Sequence, residues 1–280
     1  MRRSQVNLHT QKESKNMPAR KNTNRIVNVL PSRETNEDWG LMNAVGAGIV
    51  AAPAALPASV DLRATWWKVG DQKSTGSCVG WATADGVLRY HFVKANRLAK
   101  TERLSPRFIW MAAKETDEFI DRPTTFIESD GTSPKAAVDI ARKYGVVTDS
   151  VLPFASGLLY PEEANTFYAI AAQRKISSYF NLFKNFVQWR TWLATKGPLL
   201  VALNVDSTWD NAATTQGKLD TFKPNTVRGG HAVSVVGYRA DGRFIIRNSW
   251  GTTWGQNGFG FATEAYIQGA FFNEAYGVDL

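Results

Sequence analysis

The helix and strand signals in this chain are segregated along its length, and that order limits the folds open to it. Between residues 78 and 195 the apolar residues recur at three- and four-residue steps, whereas beyond Pro198 they fall in short runs rich in β-branched residues. From Cys78 to about Asn96, Val79, Ala82, Gly86, Val87, Tyr90 and Val93 share one face, which predicts a helix with Cys78 in its first turn. Ser105-Pro106 and Ser133-Pro134 each supply an N-cap followed by proline at the first helical position, and Gly145 is placed to end the second of these helices. A further helix is expected near 185–195, stopped by Gly197-Pro198. LLVALNV (199–205), HAVSVVGY (231–238) and RFIIRNSW (243–250) read as strands, the last two joined through a tight turn at Asp241-Gly242. Helices followed by strands predict an α+β protein with a cleft between a helical lobe and a β lobe.

The chain's 280 residues are enough for one two-lobed body. A single cysteine excludes an intramolecular disulfide, and with only three histidines a structural zinc site is not expected. The formal charge of +8 invites a nucleic-acid reading, but residues 1–25 carry seven basic side chains (Arg2, Arg3, Lys12, Lys15, Arg20, Lys21, Arg25) against Glu13, a net +6. The excess is therefore concentrated in a polar tail expected to be a disordered, solvated arm, and no recognition motif accompanies it. Residues 26–56 read as a linker or short prosegment. The small-residue run 40–58 within and beyond it is preceded by Glu37 and Asp38 and interrupted by Pro53 and Pro57, and no stretch predicts a membrane span. The globular body is expected over 57–280, with a helical lobe at about 70–165 and a β lobe at about 166–280. No clear signal peptide is visible, which favours a cytoplasmic or non-classically exported bacterial protein.

Cys78 is the one thiol. At a helix N-terminus the free N–H groups and the macrodipole favour an anion, which would activate it as a nucleophile, and Gly76 and Ser77 leave room for a substrate backbone. A nucleophile needs a base. His9 lies in the tail, and His91 follows Cys78 by thirteen residues, about 20 Å along a helix. His231 remains. Alone it would be an ordinary strand histidine, but Asn248 lies on the next strand of the same predicted hairpin, where its carbonyl could orient the imidazole.

With Gln72 six residues before the cysteine, Gly76-Ser77-Cys78, the strand HAVSVVGY and NSWGTTWGQNGFG in order, the chain resembles the papain family of cysteine peptidases over about residues 57–265. The resemblance implies a papain-like two-lobed α+β fold, with an N-terminal helical lobe and a C-terminal β-barrel-like lobe. It implies a thiol endopeptidase acting on protein or peptide substrates through Cys78, His231 and Asn248, with no metal or organic cofactor and no nucleic-acid partner. Gln72 and the Cys78 N–H would form the oxyanion hole, and Trp250 would shield the His231–Asn248 hydrogen bond. Gly76, Ser77, Gly230, Gly131 and Thr132 would contact substrate, although Gly131 is equally read as a turn before a helix. Thr75 and Val79 replace a cysteine and an aromatic residue common in the family, and Gly230 stands where Asp or Asn is frequent. The long helical inhibitory segment of such zymogens is absent from residues 1–56. The segment around Trp39 and Leu41 is instead expected to pack on the body, near the cleft. A transpeptidase, exopeptidase or other amide hydrolase or ligase on the same acyl-enzyme, and a catalytically silent binding module, are the alternatives; oligomeric state is not legible.

Overall fold

The computed structural model describes residues 25–51, 55–116, 128–155 and 162–280. Most of the basic tail, including His9, and residues 52–54 of the connecting segment lie outside them.

The helix that begins at Cys78 is the axis of the first half. It runs as α-helix over Cys78–Gly80, as π-helix over Trp81–Leu88 and as α-helix again over Arg89–Lys94. The wider middle turn departs from the uniform helix predicted by the apolar spacing, and coincides with the closest approach to the sheet. A Cβ on Gly86 would collide with Ser234 Oγ, and that hydroxyl donates to the Ala82 carbonyl at 3.1 Å. The other predicted helices form as their caps dictate. Ser105 Oγ accepts the Phe108 N–H at the start of Pro106–Thr116, and Ser133 Oγ accepts from Ala136 at the start of Pro134–Lys143. Asn185 caps Phe186–Thr195.

The strands are β1 (Val60–Asp61), β2 (Ser178–Asn181), β3 (Leu199–Val205), β4 (Lys218–Leu219), β5 (Gly229–Tyr238), β6 (Phe244–Arg247), β7 (Phe259–Ala262) and β8 (Phe271–Asp279). They form one sheet in the order β2-β8-β3-β5-β6-β7-β4, with β1 on β5. All neighbours are antiparallel except β4 and β7. The expected barrel-like closure does not occur, because β2 and β4 end the path without pairing to each other. Gly242, at φ +85°, makes the β5–β6 turn as expected.

Strand alternation divides the core. Leu200, Ala202, Ala232 and Tyr276 face the helices, packing with Cys78, Val79, Leu88, Ile109 and Val138. Leu199, Val201, Leu203, Val233 and Val235 face a second core built on Trp189, Trp192, Trp209 and Tyr266. The halves are also joined electrostatically. Fully buried Asp85, on the π-helical stretch, pairs with Arg89 (2.9 Å), Arg103 (3.1 Å) and Arg247 at the end of β6 (2.6 Å). Burial alone would push the Asp85 carboxyl up, but the charges of Arg247, Arg103 and Arg89 outweigh it and hold it below the usual carboxylate range. That clamp fixes the end of β6, and Asn248 is the next residue.

Residues 25–51 lie against this body. The chain passes extended between the halves over 25–32, then forms a short helix, Leu41–Gly46, beside β2. Asp38 anchors it, pairing with Lys135 at 2.7 Å and accepting from Tyr276 Oη at 2.7 Å and Asn181 Nδ2 at 3.2 Å.

Candidate active site

Cys78 opens its helix and His231 lies near the start of β5, so the helix-to-sheet contact at Gly86 and Ser234 sets their relation. Both are fully buried. The main-chain amides of Ala232, Val79, Cys78 and Asn28 act on the thiol to favour its charged form, so it lies beside the residue after His231.

His231 Nε2 is 2.8 Å from Asn248 Oδ1, and the same oxygen accepts the Ser249 N–H at 2.7 Å. A carbonyl oxygen can only accept, so Nε2 carries the ring proton and Nδ1 is left as the basic nitrogen. Nδ1 is buried without a partner among the described residues. Trp250 covers the pair, its ring centroid 4.7 Å from that of His231, and Trp209 meets the imidazole edge-on at 5.6 Å. The Trp250 ring thus lies against the imidazole, whose Nε2 faces Asn248.

Gln72 is buried, with its amide oriented from both ends. Oε1 accepts from Ser249 Oγ at 2.8 Å, while Nε2 donates to Thr75 O at 2.9 Å and to Ile26 O at 3.4 Å. Segment 70–72 is stitched to 249–251 by Gln72 N to Ser249 O (2.8 Å) and Gly251 N to Gly70 O (2.9 Å). Ser249 is a contributor the sequence reading missed, although it lies inside the NSWG stretch that drew attention to Asn248.

The cleft is filled by the chain's own residues 25–32. Val29 N donates to Gly230 O at 3.0 Å and Leu30 N donates to Thr132 O at 3.2 Å, so the segment binds both walls through its backbone. Asn28 Nδ2 donates to Ser129 O. A Cβ on Gly131 would collide with Asn28 O, and one on Gly229 with Val27 O. Gly131 is therefore more than a turn before a helix, since the approach of another backbone requires its missing side chain. Gly76 is different. The expected room beside it is taken up by the Ser129 and Asp130 carbonyls and the Asn28 amide. Ser77 turns its hydroxyl to Thr75 Oγ1 at 2.6 Å rather than toward the segment. Farther along, Ser32 N donates to buried Glu274 Oε1 at 3.4 Å, and burial raises that carboxyl to about 7.

The covering segment changes the electrostatics the sequence led us to expect. Burial pushes the Cys78 thiol up to about 11 despite its backbone donors, and lowers His231 to about 4 despite the Asn248 hydrogen bond. With the cleft occupied both groups are neutral near pH 7, and the thiolate expected from the helix N-terminus does not form, because desolvation outweighs those donors.

Comparison with known proteins bears on this arrangement. The sequence model of the family described as "Papain family cysteine protease" matches residues 56–268. Macrodontain-1 of Ananas macrodontes is 26% identical over 211 residues, 73% of this chain and 88% of that protein. The cathepsin L-like proteinase of Fasciola hepatica is 25% identical, covering 73% of this chain and 60% of that one. Among solved structures, xylellain, a cysteine protease from Xylella fastidiosa, superposes with a TM-score of 0.72 at 21% identity, over 94% of this chain and 98% of that one. ProCathepsin B S9 from Trypanosoma congolense gives 0.67 at 16% identity, over 91% and 87%.

Proposed function

Because the chain belongs to the papain family of cysteine proteases, we propose that it is a thiol endopeptidase held latent by its own residues 25–32. The observation that carries this is the continuous passage of that segment through the cleft, from Asp71 at one end to Glu274 at the other. A cleft open at both ends accommodates the middle of a polypeptide, which favours an endopeptidase over an enzyme that trims chain ends.

In the open enzyme water reaches the site, the desolvation penalty on Cys78 and His231 falls, and the thiol proton passes to His231 Nδ1. The thiolate attacks the peptide carbonyl, forming a C–S bond and an oxyanion. Gln72 Nε2 and the Cys78 N–H stabilise that oxyanion; losing one such donor costs roughly 10²- to 10³-fold in rate. Protonated His231 then gives its proton to the leaving amine as the C–N bond breaks, leaving a thioester. Water attacks the thioester as His231 takes its proton, the C–S bond breaks to release the carboxylic acid, and His231 returns the proton to the Cys78 sulfur. Asn248 keeps Nδ1 turned to the reacting atoms and Trp250 keeps water from the hydrogen bond that orients the ring.

The segment itself escapes cleavage by direction. If the Gly131-Thr132 wall holds the acyl side of a substrate, a substrate runs from Thr132 toward Gln72. Residues 25–30 run from Gln72 toward Thr132. Their carbonyls are therefore not presented in the sense that attack requires.

The test is alkylation of Cys78 by an epoxide inhibitor, located by mass spectrometry with Cys78→Ser as control. The full chain is expected to react slowly, and a chain lacking residues 1–55 at least about tenfold faster, with accompanying cleavage inside test proteins. Equal rates would remove the latency; absence of any Cys78 adduct would remove the mechanism.

A further inference from the structure

Arg25 is the residue of the covering segment most firmly held by its side chain, and what holds it is not used by the chemistry above. Its Nη1 lies 2.5 Å from Asp71 Oδ1 and donates to Lys73 O at 2.9 Å, while Nη2 donates to Trp250 O at 3.2 Å. Its side chain is only 10% exposed. One carboxylate and two carbonyls thus surround a planar guanidinium, an arrangement suited to arginine and satisfied only partly by a lysine ammonium.

The receptor is built into the body rather than improvised by the segment. Asp71 and Trp250 are bridged as backbone partners where segment 70–72 meets 249–251. Gly251, at φ +76°, makes room beside the carboxylate, since a Cβ there would lie 3.3 Å from Asp71 Oδ2. Lys73 adopts φ +57°, a conformation uncommon for a residue with a side chain, and its carbonyl is one of the oxygens that receive Arg25. Lys73 Nζ, on a largely exposed side chain, lies 3.1 Å from Asp71 Oδ2, leaving Oδ1 to the guanidinium. Hydrogen bonds from Arg25 and Lys73 overcome the burial of Asp71 and keep it ionised. Relative to Cys78 this receptor lies beyond Gln72, on the side opposite Thr132.

We propose that Asp71, with the main-chain carbonyls of Lys73 and Trp250, forms a subsite for an arginine or lysine side chain on the leaving-group side of the scissile bond. Arg25 occupies it in the latent chain as a built-in ligand. The proposal rests on the peptidase reading above, which assigns the leaving group to that side. Asp71 is a specificity-determining residue in this scheme and touches no reacting atom.

The test uses the full chain carrying Arg25→Ala, which empties the subsite. Internally quenched peptides differing only at each of the first three positions after the scissile bond carry Arg, Lys, Ala or Glu there. At one position kcat/KM is expected to fall in the order Arg, Lys, Ala, Glu, with Arg over Glu by roughly tenfold and the effect mainly in KM. Adding Asp71→Asn should collapse that ratio to about twofold or less, Asp71→Glu should restore part of it, and Asp71→Lys should favour Glu. Protection of Cys78 from alkylation by the same peptides reads the subsite where turnover is slow. Cleavage or protection with no charge preference at any of the three positions overturns the proposal, as does a preference that survives Asp71→Asn. Failure of Cys78 to be alkylated in any variant would instead remove the peptidase reading on which it stands.

Discussion

Two groups of charges cross between parts of this molecule, and they are built to opposite specifications. The Asp85 group joins the Cys78 helix to β6 through side chains 0–5% exposed at Asp85, Arg89 and Arg247, with only Arg103 reaching the surface, at 31%. The charges that hold residues 25–38 lie nearer water, with Arg25 and Asp71 at 10% and 26%, and Lys135 at 22% beside a buried Asp38. Breaking a dry pair strands a charge in low dielectric, whereas a pair at the edge of solvent can exchange its partner for water. The first group is therefore suited to a permanent joint between lobes and the second to a contact that opens.

The contrast is broken most severely at Asp85. Asp85→Ala leaves three arginines without their shared counter-ion, and about 3–5 kcal/mol of stability is expected to be lost, read as a fall in the denaturant midpoint or as failure to accumulate folded protein. A loss below about 1 kcal/mol would mean that the two groups do not differ in kind.

Next comes Glu274. Its carboxyl, raised from 4.5 to about 7 by burial under Ser32 and by the charge of Asp38, favours the protonated form in the covered state. The Tyr276 hydroxyl and the Ser32 N–H face it, and Lys135 lies one step away on Asp38. Stability from this group is thus full below about pH 4.5 and is lost as pH rises through about 7, on the order of 3 kcal/mol in total. Glu274→Gln should lack this loss, so the wild-type-minus-variant difference in unfolding free energy should fall as pH rises from 5 to 8; parallel profiles would count against it. His231 works in the other direction. Its pKa is lowered to about 4, so its contribution is present above the ordinary 6.5 and is lost as pH falls toward 4.

A smaller effect is expected at Asp38. Asp38→Ala removes an acceptor for Lys135, Tyr276 and Asn181, about 1–3 kcal/mol, and it should appear as opening of the segment rather than unfolding of the body. Cys78 alkylation should accelerate about tenfold or more, with the main unfolding transition nearly unmoved; a coincident shift of both would show that segment and body unfold together. Smallest is Arg63→Ala. Arg63 and Asp61 are 34% and 45% exposed, and the midpoint should move by less than about 1 kcal/mol.

The helix starts were legible because proline and a capping hydroxyl act locally, and Ser105 and Ser133 behave as their neighbours dictate. The histidine and asparagine were legible because one tight turn brings β5 and β6 together. What escaped the sequence depends on distant surfaces. Ile26 to Leu30 carry no periodic pattern, and their place is fixed by acceptors at Gly230 and Thr132 some two hundred and one hundred residues away. The same holds for Asp71, whose neighbour Gln72 drew attention while its own partner lay in the tail. The sheet's open path is likewise set by which long-range edges meet, and the π-helical stretch lies where the helix meets Ser234 of a distant strand. Desolvation of Cys78 could not be read either, since the helix N-terminus is local but the chain that dries it is not.

The segment that fills the cleft is joined covalently to the body it blocks. A tether of this kind fixes the local concentration of the blocking peptide at roughly millimolar or above, whatever the concentration of the protein. The hydrogen bonds at Gly230, Thr132 and Glu274 can accordingly be individually weak and still keep the cleft shut. One chain scission between Val50 and Val60 would end that advantage, because the same contacts would then compete with dilution, and a peptide of modest affinity would leave. The strength of the block therefore resides in the connection more than in the contacts, and its release needs no change in the site it covers.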